Sequence, residues 1–150
     1  MTIYRTVLLS TAVLAIAFRA SATGQTPSIQ QGNDAVVMRV AATIAGRERQ
    51  PAGQVFENVD RLKDTDAGTL LVIMNIGYAK ALGVTCSYCH DENNFASDEK
   101  RPKRAAREMQ VMHRAINDQL RGMKNLSSEV DDRSINCNAC HRGEIKAFHG

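Results

Sequence analysis

The chain has 150 residues, enough for one compact domain, and carries a formal net charge of +3. Hydrophobic residues make up 43% of it, yet there is no Trp and aromatic residues are only 5%, so an ordinary core of this size lacks aromatic volume that a large apolar group would supply. A charge this close to balance argues against a nucleic-acid binder.

The N-terminus reads as a signal peptide over residues 1–22. Arg5 precedes a mostly apolar run, residues 7–18, and Ala20-Ser21-Ala22 offers a small-x-small cleavage site. The run is short for a membrane span, which needs about 20 apolar residues. Arg19 sits between run and cut, and the alternative is an uncleaved N-terminal anchor. No Cys follows the cleavage site, so no lipid anchor is signalled. On either reading the domain is expected outside the cytoplasmic membrane, in the periplasm. Cleavage removes Arg5 and Arg19 and no acid, leaving 17 basic against 16 acidic residues, a net charge of +1.

Residues 23–53 contain Gly, Gln, Ser, Thr, Pro27 and Pro51 and read as a partly ordered arm. Residues 54–150 form the main domain. Val55, Val59 and Leu62 predict a short helix or an extended docking segment. The first convincing helix starts at Thr65 or Asp66, either a good cap, and runs to about residue 82, where Gly83 is a natural stop. Leu70, Met74, Gly77 and Ala81 share one face of it. The helix leads into Cys86-Ser87-Tyr88-Cys89-His90. After a polar loop, Pro102 marks the first turn of a second helix, with Ser97 or Asp98 near its cap. It runs to about Gly122. Ala105, Met109, Met112, Ile116, Leu120 and Met123 make an apolar stripe along it. A second polar loop leads to Cys137-Asn138-Ala139-Cys140-His141. No strand alternation is evident, and the order helix, motif, helix, motif is a weak internal repeat.

These two frames use all four cysteines. In C-x-x-C-H each thiol adds to one haem vinyl group, and the adjacent His binds the iron as proximal ligand. Zinc is a rival reading of paired C-x-x-C, but it does not need His after both pairs. Plain disulfides are the bland alternative in an exported chain, and a thioredoxin-like site lacks its strand–helix context. The motifs therefore predict two covalently bound haems c, with Cys86, Cys89, Cys137 and Cys140 as thioether residues and His90 and His141 as iron ligands.

Each iron has a sixth position. Beyond the motif histidines the chain offers His113, His149, Met38, Met74, Met109, Met112 and Met123. Met74 is the choice for the first haem, because it lies on the apolar face of the helix ending at Cys86. Core filling is the ordinary role of a Met there. Met112, near the centre of the second stripe, is the choice for the second haem, with Met109, Met123 and His113 as alternatives. His149 is expected to fray. The basic run Lys100, Arg101, Lys103, Arg104 and Arg107 sits at a helix start, where the dipole disfavours cations. It reads as a solvated face, or more sharply as partners for haem propionates or an acidic protein.

Met74-Asn75, Tyr78-Ala79 and Leu82-Gly83-Val84 ahead of Cys86-x-Tyr88-Cys89-His90, followed by Asn94-Phe95-Ala96-Ser97-Asp98, resemble the tetrahaem cytochrome subunit of bacterial photosynthetic reaction centres. Ala106-Arg107-x-Met109, Ile116-Asn117 and the Val55, Val59, Leu62 lead-in continue the likeness over about residues 51–143. The resemblance implies an all-α, loop-rich fold with a helix running parallel to each haem and supplying Met74 or Met112. In that family one haem takes His instead, which keeps His113 open. With two motifs, the chain resembles one half of the subunit. The expectation is a one-electron carrier rather than an enzyme, whose partners are redox proteins or a membrane electron-transfer complex, with association at a membrane surface allowed for. The alternatives are a dihaem peroxidase-type oxidoreductase and a haem subunit of a membrane-bound reaction-centre or respiratory complex.

Overall fold

The computed structural model describes residues 28–125 and 134–147. The signal segment, its cleavage site and His149 lie outside them. Among the described residues the fold is all-α and loop-rich, with two isolated antiparallel bridges, Pro51 to Asp66 and Asp91 to Asn94. None of its helices is long and apolar enough to cross a membrane.

Much of the stretch read as a partly ordered arm is helix α1, Ile29–Thr43. Ser28 caps it: its hydroxyl accepts from the Gln31 amide at 3.2 Å, and the Gln31 side chain accepts from the Ser28 amide at 2.8 Å, a reciprocal capping box. Asn33 and Val36 are buried on α1, and Ile44 just beyond it is buried as well. The helix packs against the one that precedes the first motif.

A turn then leads to α2, Ala52–Val55. Backbone bonds zip this region to the chain ahead of the next helix: Ala52 donates to Thr65 at 2.7 Å, Gly53 to Lys63 at 2.9 Å and Ala67 to Gln50 at 2.9 Å. A Cβ on Gly53 would stand 2.9 Å from that of Lys63, so only glycine permits this approach.

Helix α3, Ala67–Val72, continues directly into a π-helical segment, Ile73–Lys80. Such segments gather at functional sites. The wider turn changes which residues share a face. Leu70 and Met74 keep the expected side, but Tyr78 and Leu82 follow them into the cavity described below, in place of Gly77 and Ala81. Gly83 ends the run at φ +64. The first motif forms α4, Cys86–Cys89. Helix α5 spans Arg101–Gly122 with Pro102 in its first turn; its N-cap is Lys100 and makes no side-chain cap bond. Asp98, expected near that cap, binds side chains of α5 instead. The second motif forms α6, Cys137–His141, capped by the Asn136 side chain, which accepts from Ala139 at 3.2 Å.

Candidate functional site

A cavity of about 510 Å³ lies between α1, the residue 56–62 segment, the π-helical segment, the first motif and α5. Cys86, Cys89, His90 and Met74 all line it. Its walls are mainly apolar, with Val36, Val40, Leu62 and Leu70 among them. Val59 and Leu62 face it too, so the lead-in serves as a docking segment after the single turn of α2. This volume is in the range of small-molecule and cofactor pockets, roughly 300–1,000 Å³.

The four cysteines are free thiols and half-buried. Burial pushes the thiols of Cys86, Cys89 and Cys137 up from their ordinary values, with Glu92 adding to the effect at Cys86. His90 is shifted down by burial and, more weakly, by the nearby Lys103, Lys100 and Arg107, against the opposing pull of its hydrogen bond to the Phe95 carbonyl. Its Nδ1 lies 3.4 Å from the Phe95 carbonyl. A carbonyl only accepts, so Nδ1 carries the proton and Nε2 is the nitrogen left for a metal. His141 repeats the arrangement, with Nδ1 at 3.0 Å from the Glu144 carbonyl. Sequence reasoning missed both carbonyl partners, which lie outside the motifs.

The basic run stitches the loop behind the first motif. Lys103 is only 8% exposed. Its Nζ donates to the carbonyls of Phe95 at 2.8 Å, Ala96 at 3.0 Å and Ser97 at 2.8 Å, and pairs with Asp98 at 3.1 Å. Arg107 pairs with Asp98 at 2.7 Å and donates to the Asn58 carbonyl at 3.1 Å. Arg104 donates to Glu99 at 2.7 Å, and Lys100 reaches the Ser87 carbonyl. The Phe95 carbonyl that orients His90 is thus itself fixed by Lys103. Lys103 and Arg107 also line the cavity.

The second motif is built differently. Cys137, Cys140 and His141 are half-buried, and none of them lines the cavity at the first motif. Met109 and Met112 on α5 stand 43% and 47% exposed and Met123, which caps it, 47%, with Val111 at 47%. The predicted stripe is therefore uncovered in large part. It flanks the side of α5 on which Asn117 and His113 meet Ile135, ahead of the second motif, while the second motif itself packs against the π-helical segment. His113 Nε2 lies 2.6 Å from the Ile135 carbonyl, so that nitrogen donates to the backbone. Met38, another possible ligand by residue type, is 72% exposed on α1.

The two motifs touch through their flanks. The Gly143 amide, just after the second motif, donates to Ala81 at 2.9 Å, just before the first. A Cβ on Gly83 would collide with the Gly143 carbonyl. Tyr78, on the cavity wall, has its phenol pushed up to about 12 by burial, with Cys137 contributing.

These residues fit a covalently held haem at the first motif: two free thiols, a neutral His with Nε2 available, and an apolar cavity with Met74 in its wall. At the second motif the thiols and oriented His are present, beside an exposed apolar helix face.

The sequence matches the family model described as the photosynthetic reaction centre cytochrome C subunit over residues 15–146. It is 31% identical over 116 residues to the photosynthetic reaction center cytochrome c subunit of Thermochromatium tepidum, covering 75% of this chain and 26% of that protein. Cytochrome c-554 of Chloroflexus aurantiacus is 37% identical over 115 residues, covering 72% of this chain and 27% of that protein. The reaction center cytochrome c subunit of Rubrivivax gelatinosus is 35% identical over 82 residues, covering 49% and 22%. The matched region is about a quarter of the length of these curated relatives.

Proposed function

The chain belongs to the photosynthetic reaction centre cytochrome c subunit family, and from that premise we propose that it is a periplasmic one-electron carrier holding two covalently attached haems c. Haem c, the cofactor this family implies, supplies reversible one-electron chemistry when bound. The observation that carries the reading is the cavity in which Met74, Cys86, Cys89 and His90 meet.

At the first site Cys86 and Cys89 would hold the group as thioethers, and His90 Nε2 and Met74 would be the iron ligands. The Phe95 carbonyl fixes the His90 tautomer, and the apolar walls exclude water. At the second site Cys137, Cys140 and His141 would have the same roles, with Met112 as the second iron ligand. That choice is supported by the exposed stripe of α5 and by the engagement of His113 Nε2 with the backbone. The bond from Gly143 to Ala81, which links the flanks of the two motifs, supports electron exchange between the sites. With Met74 and Met112 as ligands no iron would be left open, as a peroxidase-type enzyme needs, and the electron-transfer names of the relatives support a carrier. The names of the relatives favour a membrane electron-transfer complex as a partner.

The test is the intact mass and haem content of the exported protein, with carbon monoxide added to its reduced form. Two haems per chain and no carbon monoxide spectrum at rest are expected. No haem would overturn the reading, and rapid carbon monoxide binding would favour the enzyme.

A further inference from the structure

Each C-x-x-C-H turn is approached by a chain segment that a buried asparagine from a distant helix grips from the side. Asn33 of α1 is 1% exposed. Its Nδ2 donates to the Val84 carbonyl at 2.9 Å, and its Oδ1 accepts from the Cys86 amide at 2.9 Å. Asn117 of α5 is 6% exposed. Its Nδ2 donates to the Ile135 carbonyl at 3.1 Å, and its Oδ1 accepts from the Ile135 amide at 2.7 Å. Val84 and Ile135 each stand two residues ahead of the first cysteine of their motif. Two unrelated helices, one before both motifs and one between them, each hold the carbonyl two residues ahead of a motif; the amide held with it is that of Cys86 at the first motif and that of Ile135 at the second.

Asparagine is a poor choice for a helix interior, since its side chain competes for backbone groups, and burying an unpaired amide is costly. Its planar amide is, however, the side chain that offers one donor and one acceptor side by side, as a neighbouring strand would. Neither approach segment is in a strand or a helix: Thr85 and Asn136 are extended caps. The asparagines share this work with His113, whose Nε2 also meets the Ile135 carbonyl, and with the Val84 amide, which donates to Ala79 at 3.0 Å.

We propose that Asn33 and Asn117 are positioning residues for haem attachment, each holding its own motif so that two thiols and one His are presented together. This rests on the two-haem reading above. In the attachment each Cys Sγ bonds to one vinyl carbon and its thiol proton goes to the other carbon of that vinyl group, with no net oxidation. What the asparagines control is whether both thiols face the same side when this happens.

The experiment expresses the full chain, leader included, in a host that matures c-type cytochromes, and measures haem on each motif by peptide mass mapping. The parent is measured alongside: no haem on the parent would sink the two-haem reading itself. With two haems on the parent, Asn33→Ala should lower loading of the first motif relative to the second. Asn117→Ala should do the reverse. Loss of two hydrogen bonds corresponds to a change in that ratio on the order of tenfold. Asn33→Asp and Asn117→Asp keep the acceptor and lose the donor, so they should show the same selectivity with a smaller change. Ile44→Ala, a core truncation touching neither motif, should reduce total yield with the ratio unchanged. Equal loss from both motifs, unchanged loading, or no recoverable holoprotein from both the Ala and the Asp variants would overturn the proposal.

Discussion

The two C-x-x-C-H turns share a local design and differ in what surrounds them. In both, a single turn of helix carries the thiols, the His after the second Cys donates Nδ1–H to a nearby carbonyl, and a buried Asn grips the carbonyl two residues upstream. Around the first, polypeptide from several elements already encloses a large apolar volume. Beside the second, a helix presents exposed methionines. The same motif can thus be met by a pocket that the chain builds, or by a surface that the cofactor itself must cover. The first motif faces a cavity within the fold; the second packs against the π-helical segment and lines no part of that cavity.

That contrast is broken or sharpened by removing each site in turn. Replacing Cys86 and Cys89 together by Ala should abolish cooperative thermal unfolding, because the cavity it would leave open far exceeds those left by single core truncations. Replacing Cys137 and Cys140 together should lower the midpoint and keep the transition cooperative, as followed by circular dichroism. Equal effects would erase the contrast. Next in size is Lys103→Met. It strips three loop carbonyls and Asp98 of one shared cation, and should cost about 3 kcal/mol in denaturant unfolding. Gly83→Ala should cost about 2 kcal/mol, because Gly83 has a left-handed backbone and abuts Gly143. It should also weaken redox interaction between the haems while leaving each haem attached.

The smallest effect is the pH dependence of the loop behind the first motif. Asp98 is held well below the usual carboxylate range, first by Arg107, with Asn58 and Lys103 adding to it. A depressed folded-state value contributes stability above the unfolded value of about 3.9 and loses it as pH falls. Between about pH 5 and pH 2 the parent should therefore lose more stability than Asp98→Asn. Parallel acid-unfolding curves would show that the pair contributes nothing.

The motifs, the long helix α5 and the place of Met74 were legible because each is written in a local pattern: C-x-x-C-H, an amphipathic repeat, a helix ending at its glycine. Helix α1 was not, since its apolar and polar residues do not separate cleanly, and its burial comes from chain far away. The shift of the cavity face from Gly77 and Ala81 to Tyr78 and Leu82 follows from π-helical bonding, which residue spacing does not announce. The basic run was read as solvated or aimed at an external anion. Its targets are carbonyls of the adjoining loop, invisible until that loop folds back on α5. Asn33 and Asn117 left one usable signal, an amide in a helix interior, where asparagine is disfavoured.

The central claim is that the first site is a preformed cavity in which Met74 completes the iron of the haem held by His90. A spectroelectrochemical titration of the parent and of Met74→His, with the Met-to-ferric-iron absorption band followed in parallel, tests it most directly. The parent should show two waves, and the substitution should lower one of them by on the order of 0.1 V, within the ~0.8 V that axial ligands span, while removing part of the Met band. Two unmoved waves and an unchanged band would show that Met74 is core filling and that the first haem takes its sixth ligand from elsewhere.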